Sequence, residues 1–118
     1  MNITERVSGQ NIILSLSGKF LWEARKAFPE ALQEAKKKTP KKIVLNMEGL
    51  TFIDSAGLGL LAIGFEQAKL VHVALCLVNP VGAVRKILDL AQLPRIIPVY
   101  ETEEQALRMN PSMLASTT

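Results

Sequence analysis

The sequence has 118 residues, of which 48% are hydrophobic, 21% charged and 5% aromatic, and its formal net charge is +3 at pH 7. This length suits one domain with a single hydrophobic core, and the composition excludes disordered and fibrous proteins. No aromatic residues are interleaved with the basic ones in a pattern that would stack nucleic-acid bases. We therefore expect one domain over residues 1–110, a flexible C-terminal tail at 111–118, and no direct nucleic-acid partner.

The first part of the chain predicts a β-hairpin followed by a helix. Two β-rich segments, NITERV and NIILSLS, flank the turn residues SGQ. After them, Ala24, Phe28, Leu32 and Ala35 recur at helical spacing. Pro29 is costly inside a helix, so the helix starts near Phe28 or is kinked there. The basic run KKKTPKK at 36–42 is interpreted as the solvated end of this helix.

The middle of the chain predicts a strand, a loop and a second helix. The segment KKIVLNM is short and β-branched, as expected of a buried strand, and EGLTFID is interpreted as a loop. The segment SAGLGLLAIGFEQAKL then predicts a helix. Its apolar face is expected to carry Leu58, Leu61, Ala62 and Phe65.

The last third predicts two further strand and helix pairs. VHVALCLVN is an apolar strand, and PVGAVRKILDLAQL has helical spacing. RIIPVY predicts an edge strand because of Pro98, and Thr102 with Gln105 form a capping box before a short helix. The alternating order predicts an α/β fold with a mixed, largely parallel sheet, opened by an N-terminal hairpin and covered by about four helices.

Asp54 and Ser55 stand side by side where the second helix begins. The first N–H groups of a helix have no internal partners, so either side chain can accept a hydrogen bond as the N-cap. The other polar group would then lie beside free N–H donors at the positive end of the helix dipole, where a phosphate group is stabilised. Gly57 and Gly59 would let a partner come close. A purely structural cap and a phosphorylation site at Ser55 both remain open.

Enzymatic and metal chemistry find little support in the residue pattern. There is no G-x-S-x-G elbow and no phosphate-binding loop with its lysine, and His72 is the sole histidine. Cys76 is the sole cysteine, so neither an intramolecular disulfide nor a thiolate zinc cluster can form. We expect no catalytic residue, no cofactor and no metal. Without a signal pattern or a bilayer-length apolar run, we expect a cytoplasmic protein without membrane insertion.

The segment IVLNMEGLTFIDSAGLGLLAIGFEQAK, followed by CLVNPVGAVRKILDLAQLPRIIPVYETEEQAL, resembles the STAS domain family, in particular its anti-sigma-factor antagonists. The D-S-x-G-L-G element is the most specific part of the resemblance, which extends over about residues 3–108. It implies a STAS-like fold and a non-enzymatic regulator of transcription. Such a regulator binds an anti-sigma factor that is also a serine kinase, and it is switched by phosphorylation and reset by a phosphatase.

Residue by residue, the resemblance implies that Ser55 accepts the phosphate and that Asp54 is its acidic neighbour. Gly57, Leu58 and Gly59 would form the first turn that faces the partner. Trp22 is either a core residue or an exposed aromatic anchor for a partner. Whether the protein forms a homodimer is left open.

This sequence departs from the antagonist pattern at two places. Leu21 and Trp22 stand where relatives carry an acid near the phosphorylated serine, and Asn46 stands where many carry an aspartate. Two alternatives stay open, and the missing acid near Leu21 favours the first of them. One is a STAS scaffold subunit of a membrane lipid-transport ABC complex, and the other is a module that binds a small ligand or nucleotide at the second helix.

Overall fold

The computed structural model describes residues 1–108, so the tail predicted at 111–118 lies outside the described residues. Within them, five strands alternate with four α-helices and two short 3-10 helices. In chain order these are β1 Asn2–Ser8, β2 Asn11–Phe20, a 3-10 helix Trp22–Arg25, α1 Ala27–Lys37, β3 Lys42–Ile53, α2 Ser55–Leu70, β4 Ala74–Val78, α3 Gly82–Leu90, a 3-10 helix Leu93–Arg95, β5 Val99–Tyr100 and α4 Glu103–Arg108.

The five strands form one sheet in the order β1-β2-β3-β4-β5. Strand β1 is antiparallel to β2, and every other neighbouring pair is parallel. The β1–β2 hairpin turns through Gly9 and Gln10, and Gly9 has a φ of 60°, a left-handed conformation that glycine adopts without strain. The predicted mixed, largely parallel sheet with an N-terminal hairpin is confirmed.

Alternate residues of the central strands face two different helical layers. Ile12, Leu14 and Leu45 are among those that point into the main core, against α1, α2 and α3. Ile13 and Val44 point to the opposite face, where α4 contributes Ala106. This period-two alternation explains the unbroken apolar runs at 12–14 in β2 and 43–45 in β3, since both faces of the sheet are covered there.

Strand β3 is longer than predicted, and the loop expected over EGLTFID is wrong. The strand continues to Ile53 because β2 runs alongside it as far as Phe20, and Phe20 pairs with Ile53. Two shifts in register interrupt this pairing, between Ser15 and Ser17 and between Gly18 and Lys19. The irregular register hides the strand from any simple alternation pattern.

The position of Pro29 is compatible with the observed start of the first helix. Helix α1 begins at Ala27, so Pro29 is its third residue, where no backbone N–H is needed for an intrahelical hydrogen bond. Phe28 and Leu32 are buried, as the helical spacing predicts. The preceding residues form a separate 3-10 helix, which explains how the polypeptide turns before the proline.

The basic run at 36–42 is only partly a solvated helix end. Helix α1 ends at Lys37, whose ammonium lies 3.0 Å from Glu34 on the surface. Lys42, in contrast, belongs to β3 and is buried, with its Nζ donating a hydrogen bond to the Ala106 carbonyl of α4. The interpretation of the whole run as solvated is therefore wrong at Lys42.

The last two elements follow the predicted signals closely. Strand β5 has only two residues and begins directly after Pro98. At α4, the Gln105 N–H donates to Thr102 Oγ1 at 3.1 Å, and the Glu101 N–H donates to Gln105 Oε1 at 3.0 Å. The first bond is the N-cap half of the predicted capping box, and the second reaches back to Glu101, one residue before Thr102.

Candidate partner-binding site at the start of the second helix

Two neighbouring parallel strands end side by side at one edge of the sheet. Because Phe20 at the end of β2 pairs with Ile53 at the end of β3, the segments that follow them leave from the same place. The Asp54 N–H donates a hydrogen bond to the Phe20 carbonyl at 3.2 Å, which joins the two segments directly. The edge thereby brings the segment containing Trp22 next to the start of α2.

Asp54 is the N-cap of α2. Its backbone is extended, with φ −100° and ψ −177°, and its Oδ1 accepts a hydrogen bond from the Gly57 N–H at 2.8 Å. A cap of this kind typically stabilises a helix by about 0.5–2 kcal/mol relative to alanine. The Asp54 carboxylate, rather than the neighbouring Ser55 hydroxyl, thus caps the helix.

Ser55 is the first residue of α2, and it is exposed. Its hydroxyl takes no part in the cap, since Asp54 satisfies the Gly57 donor. A side chain at this position projects from the positive end of the helix dipole, next to N–H groups of the first turn. The structure therefore places an accessible hydroxyl where a phosphate group is electrostatically favoured.

The two glycines after Ser55 have different surroundings. Gly57 is buried, and a Cβ atom there would lie 2.4 Å from the Phe20 carbonyl oxygen and 2.7 Å from Ile53 Cγ1. Gly59 is exposed, and a Cβ atom there would meet no other atom within 4 Å. Gly57 is thus required for the close packing of α2 on the strand ends, whereas Gly59 meets no such requirement.

The apolar face predicted for α2 is correct only in part. Of its four residues, Leu61 is buried, while Leu58, Ala62 and Phe65 are half-buried. The other buried positions of the helix are Gly57, Gly64 and Ala68. At Gly64 the small residue lets α1 come close, since a Cβ there would lie 2.6 Å from Leu32 Cδ1. A search for large apolar residues could not detect this stripe.

The exposed face of α2 contains a residue that the sequence reasoning missed. Ile63 is 56% exposed, eight positions after Ser55 and four after Gly59. Residues spaced by four lie on one face of a helix, so these three form a continuous outer stripe. Spacing counted from Ser55, rather than from the core residues, would have found Ile63.

Trp22 is exposed, which excludes the core alternative. Its side chain is 58% accessible, and the Arg25 guanidinium lies 4.7 Å from the centroid of its ring. A cation over an aromatic face is attracted by the ring quadrupole and restricts the motion of both side chains. Leu21, the other residue in place of the family's acid, is half-buried.

Asn46 takes part in a polar network at a different place on β3, seven residues before the end of the strand. Its Nδ2 donates to Glu103 at 2.6 Å, and Glu103 also accepts from Arg6 at 2.6 Å. The hydrogen bond from Arg6 holds the pKa of Glu103 below its usual range, with a further contribution from Asn46 and opposed by burial. The network connects β1, β3 and α4.

Among the described residues there is neither a candidate metal site nor a candidate membrane-spanning helix. Over positions 1–108, no three His, Cys, Asp or Glu side chains are grouped as metal ligands. The helices in that range are too short or too polar to span a bilayer. His72, predicted to begin a strand, is instead exposed in the turn after α2, with a φ of 60°.

The profile of the STAS domain family matches residues 2–106. The chain belongs to the STAS domain family. This STAS domain is 35% identical over 88 residues to the anti-sigma F factor antagonist of Paenibacillus polymyxa, an alignment that covers 70% of the chain and 68% of that protein. The resemblance stated from the sequence is confirmed.

Solved structures share the fold of this STAS domain. A proposed anti-sigma factor antagonist from Thermotoga maritima superposes with a TM-score of 0.81 at 24% identity, over 89% of this chain and 91% of that one. The Bacillus cell fate determinant SpoIIAA in its phosphorylated form superposes with a TM-score of 0.67 at 24% identity, over 90% and 96%. At these identities the superpositions establish the common architecture.

Proposed function

We propose that this STAS protein is a cytoplasmic anti-sigma-factor antagonist switched by phosphorylation of Ser55. In the unphosphorylated state it binds an anti-sigma factor with serine kinase activity, and a phosphatase restores this state after phosphorylation. The observation that carries the proposal is the division of tasks at α2, where Asp54 caps the helix and leaves Ser55 exposed. The antagonist from Paenibacillus polymyxa, at 35% identity, supports the assignment to this branch.

The position of Ser55 suits a reversible charge switch. Phosphorylation adds about 1.5 to 2 negative charges and three strong acceptor oxygens. The N-terminus of α2 partly stabilises this charge, so the domain stays folded, while the neighbouring Asp54 carboxylate and an apposed partner surface oppose it. A loss of about 1–3 kcal/mol in binding would lower the affinity roughly 5- to 150-fold, which is enough to release a partner.

The binding face includes the exposed residues around Ser55. Trp22 follows the end of β2 at the same edge of the sheet, and Gly59 and Ile63 continue the outer stripe of α2. Exposed tryptophans are frequent interface hot spots, and a glycine without a packing task leaves room for a partner's side chain. Asp54, Gly57 and Leu58 support this face from beneath, because they are half-buried or buried.

The first test is a pull-down from lysate of the source organism, with the tagged protein and its variants as bait. We expect wild type and Ser55→Ala to retain the same serine kinase of the anti-sigma type, and Ser55→Asp to lose it. Gln33→Glu serves as the matched control, because it adds one negative charge on the exposed face of α1. Incubation of wild type with ATP in the same lysate should place a phosphate on Ser55, detected by mass spectrometry.

Two outcomes would contradict this proposal. Equal retention of the kinase by all variants would show that Ser55 does not gate binding. Retention of a membrane ABC transporter ATPase by wild type and Ser55→Asp alike would favour the scaffold alternative. We test the scaffold alternative because the exposed Trp22 stands where antagonists of the family carry an acid.

A further inference from the structure

A cleft of about 430 Å³ lies between the second half of α2 and the outer edge of β4. This volume falls within the range of roughly 300–1,000 Å³ that is typical of small-molecule sites. Most of its wall is apolar, contributed by Phe65, Val73, Leu75, Cys76, Ile96 and Tyr100. The cleft is thus large enough and apolar enough to bury the body of a small organic ligand.

The cleft exists because the last strand is short. Strand β5 pairs only with Leu77 and Val78 of β4, and Pro98, which has no N–H to donate, precedes it. Within the described residues, no strand covers the outer edge of β4 over positions 74–76. The opening is therefore built into the topology of the sheet and does not depend on the conformation of one side chain.

The charged side chains that line the cleft are two lysines. Lys69 is exposed and lies at the rim, whereas Lys42 is buried, with its Nζ donating to the Ala106 carbonyl. No carboxylate lines the cleft. An apolar wall with positive charge at its rim favours an amphipathic ligand that carries one negative charge.

The cleft is separate from the proposed switch. Its α2 residues begin at Phe65, ten positions after Ser55, which corresponds to about 15 Å along a helix. Ligand binding there does not require contact with the partner-binding face. A binding experiment on the cleft therefore does not depend on whether the protein is an anti-sigma-factor antagonist.

We propose that this cleft binds a small amphipathic monoanion, such as a free medium-chain carboxylate. The apolar chain lies against Phe65, Leu75 and Ile96, and the carboxylate faces the Lys69 ammonium at the rim. Neutral or cationic molecules of the same shape bind more weakly, because they gain the apolar contacts without the charge attraction.

The test is an NMR titration of the ¹⁵N-labelled full chain with octanoate, octanol and octylammonium. We expect octanoate to shift the amide signals of Phe65, Leu75 and Tyr100 in a saturable manner and to leave Ser55 unchanged. Octanol should bind more weakly than octanoate, and octylammonium more weakly still. Equal affinity for the three probes, or octanoate shifts that cluster elsewhere, would overturn the proposal.

Variants separate the contributions of charge and shape. We expect Lys69→Gln to weaken octanoate binding about two- to fivefold, as for one exposed charge pair, whereas Lys86→Gln on α3 changes nothing. Ala74→Phe fills the cleft from β4 and should abolish the shifts at Phe65 and Tyr100. Unchanged octanoate affinity in both Lys69→Gln and a folded Ala74→Phe would refute the site. If Ala74→Phe does not fold, Ala74→Leu supplies the smaller filling change.

Discussion

Gly57 and Gly59 lie two residues apart in the first turns of α2 and perform different tasks. At position 57 a side chain would collide with the Phe20 carbonyl, so the fold itself requires glycine there. At position 59 there is open space. Glycine in an exposed helix costs about 1 kcal/mol relative to alanine, so its presence at 59 is explained better by a partner than by the fold.

The same substitution at these two positions should therefore have opposite effects. We expect Gly59→Ala to raise the free energy of unfolding by about 0.5–1 kcal/mol, because alanine is the better helix former. Gly57→Ala should lower it by about 1–3 kcal/mol, because the added methyl group overpacks the strand ends. Urea unfolding of the two variants and wild type measures both changes. A destabilised Gly59→Ala would contradict the open surroundings of that residue.

The periodicity of the sequence predicts the order of the strands and helices, but not the strand ends and helix faces that form the site. The order of strands and helices follows from apolar spacing and turn residues, and the capping box at Thr102 is visible as a motif. The full length of β3 could not be predicted, because bulges in its pairing with β2 break the alternation. The inner face of α2 was predicted only at Leu61, because its other buried residues, Gly57, Gly64 and Ala68, are small and carry little hydrophobic signal.

The residues of the site, too, could be predicted from the sequence only in part. The local sequence leaves two candidates for the N-cap residue, Asp54 and Ser55. The hydrogen bond that Asp54 accepts from the Gly57 N–H shows that Asp54 is the N-cap. The exposure of Trp22 depends on the 3-10 helix and on the Arg25 contact, neither of which has a distinctive spacing. Tertiary contacts, rather than composition, decide which polar and aromatic residues remain accessible.

The network around Glu103 connects three elements and predicts a pH-dependent contribution to stability. Its pKa is depressed in the folded state below the ordinary value of 4.5. The stabilisation is therefore present above pH 4.5 and is lost as the pH falls through the folded-state pKa. We expect Glu103→Gln to be less stable than wild type at pH 7 and the difference to disappear at lower pH.

Urea unfolding at pH 7, 5, 4 and 3 checks this expectation. Glu104→Gln is the matched control, because it removes an adjacent carboxylate of α4 that is 79% exposed. The control should show little difference from wild type at any of these pH values. A difference between Glu103→Gln and wild type that stays the same from pH 7 to pH 3 would show that the charge of Glu103 is not its source.

The two candidate sites lie at opposite ends of α2. The strand ends at Phe20 and Ile53 present Ser55 and Trp22, while the short β5 leaves the cleft open near Phe65. One helix thus extends between a surface suited to a macromolecular partner and a cleft suited to a small molecule. The central part of the sheet packs on one face against α1, α2 and α3 and on the other face against α4.

Cys76 can be used to test whether the packing of α4 on the sheet is intact. It is the sole cysteine of the chain and is buried between the sheet and α4. Burial raises the pKa of its thiol from 9.0 to about 11, although the nearby Lys42 opposes the shift. The folded protein should therefore lose stability as the pH rises from 9 to 11, because the unfolded thiol ionises first.

Since the thiolate is the reactive form, we expect iodoacetamide at pH 8 to alkylate Cys76 more slowly in the native protein than in the urea-unfolded chain. The difference in ionisation alone makes the native rate roughly 100-fold lower. Mass spectrometry of timed samples measures the alkylation rates, and native and unfolded rates within threefold of each other would show that the thiol is not held in the core.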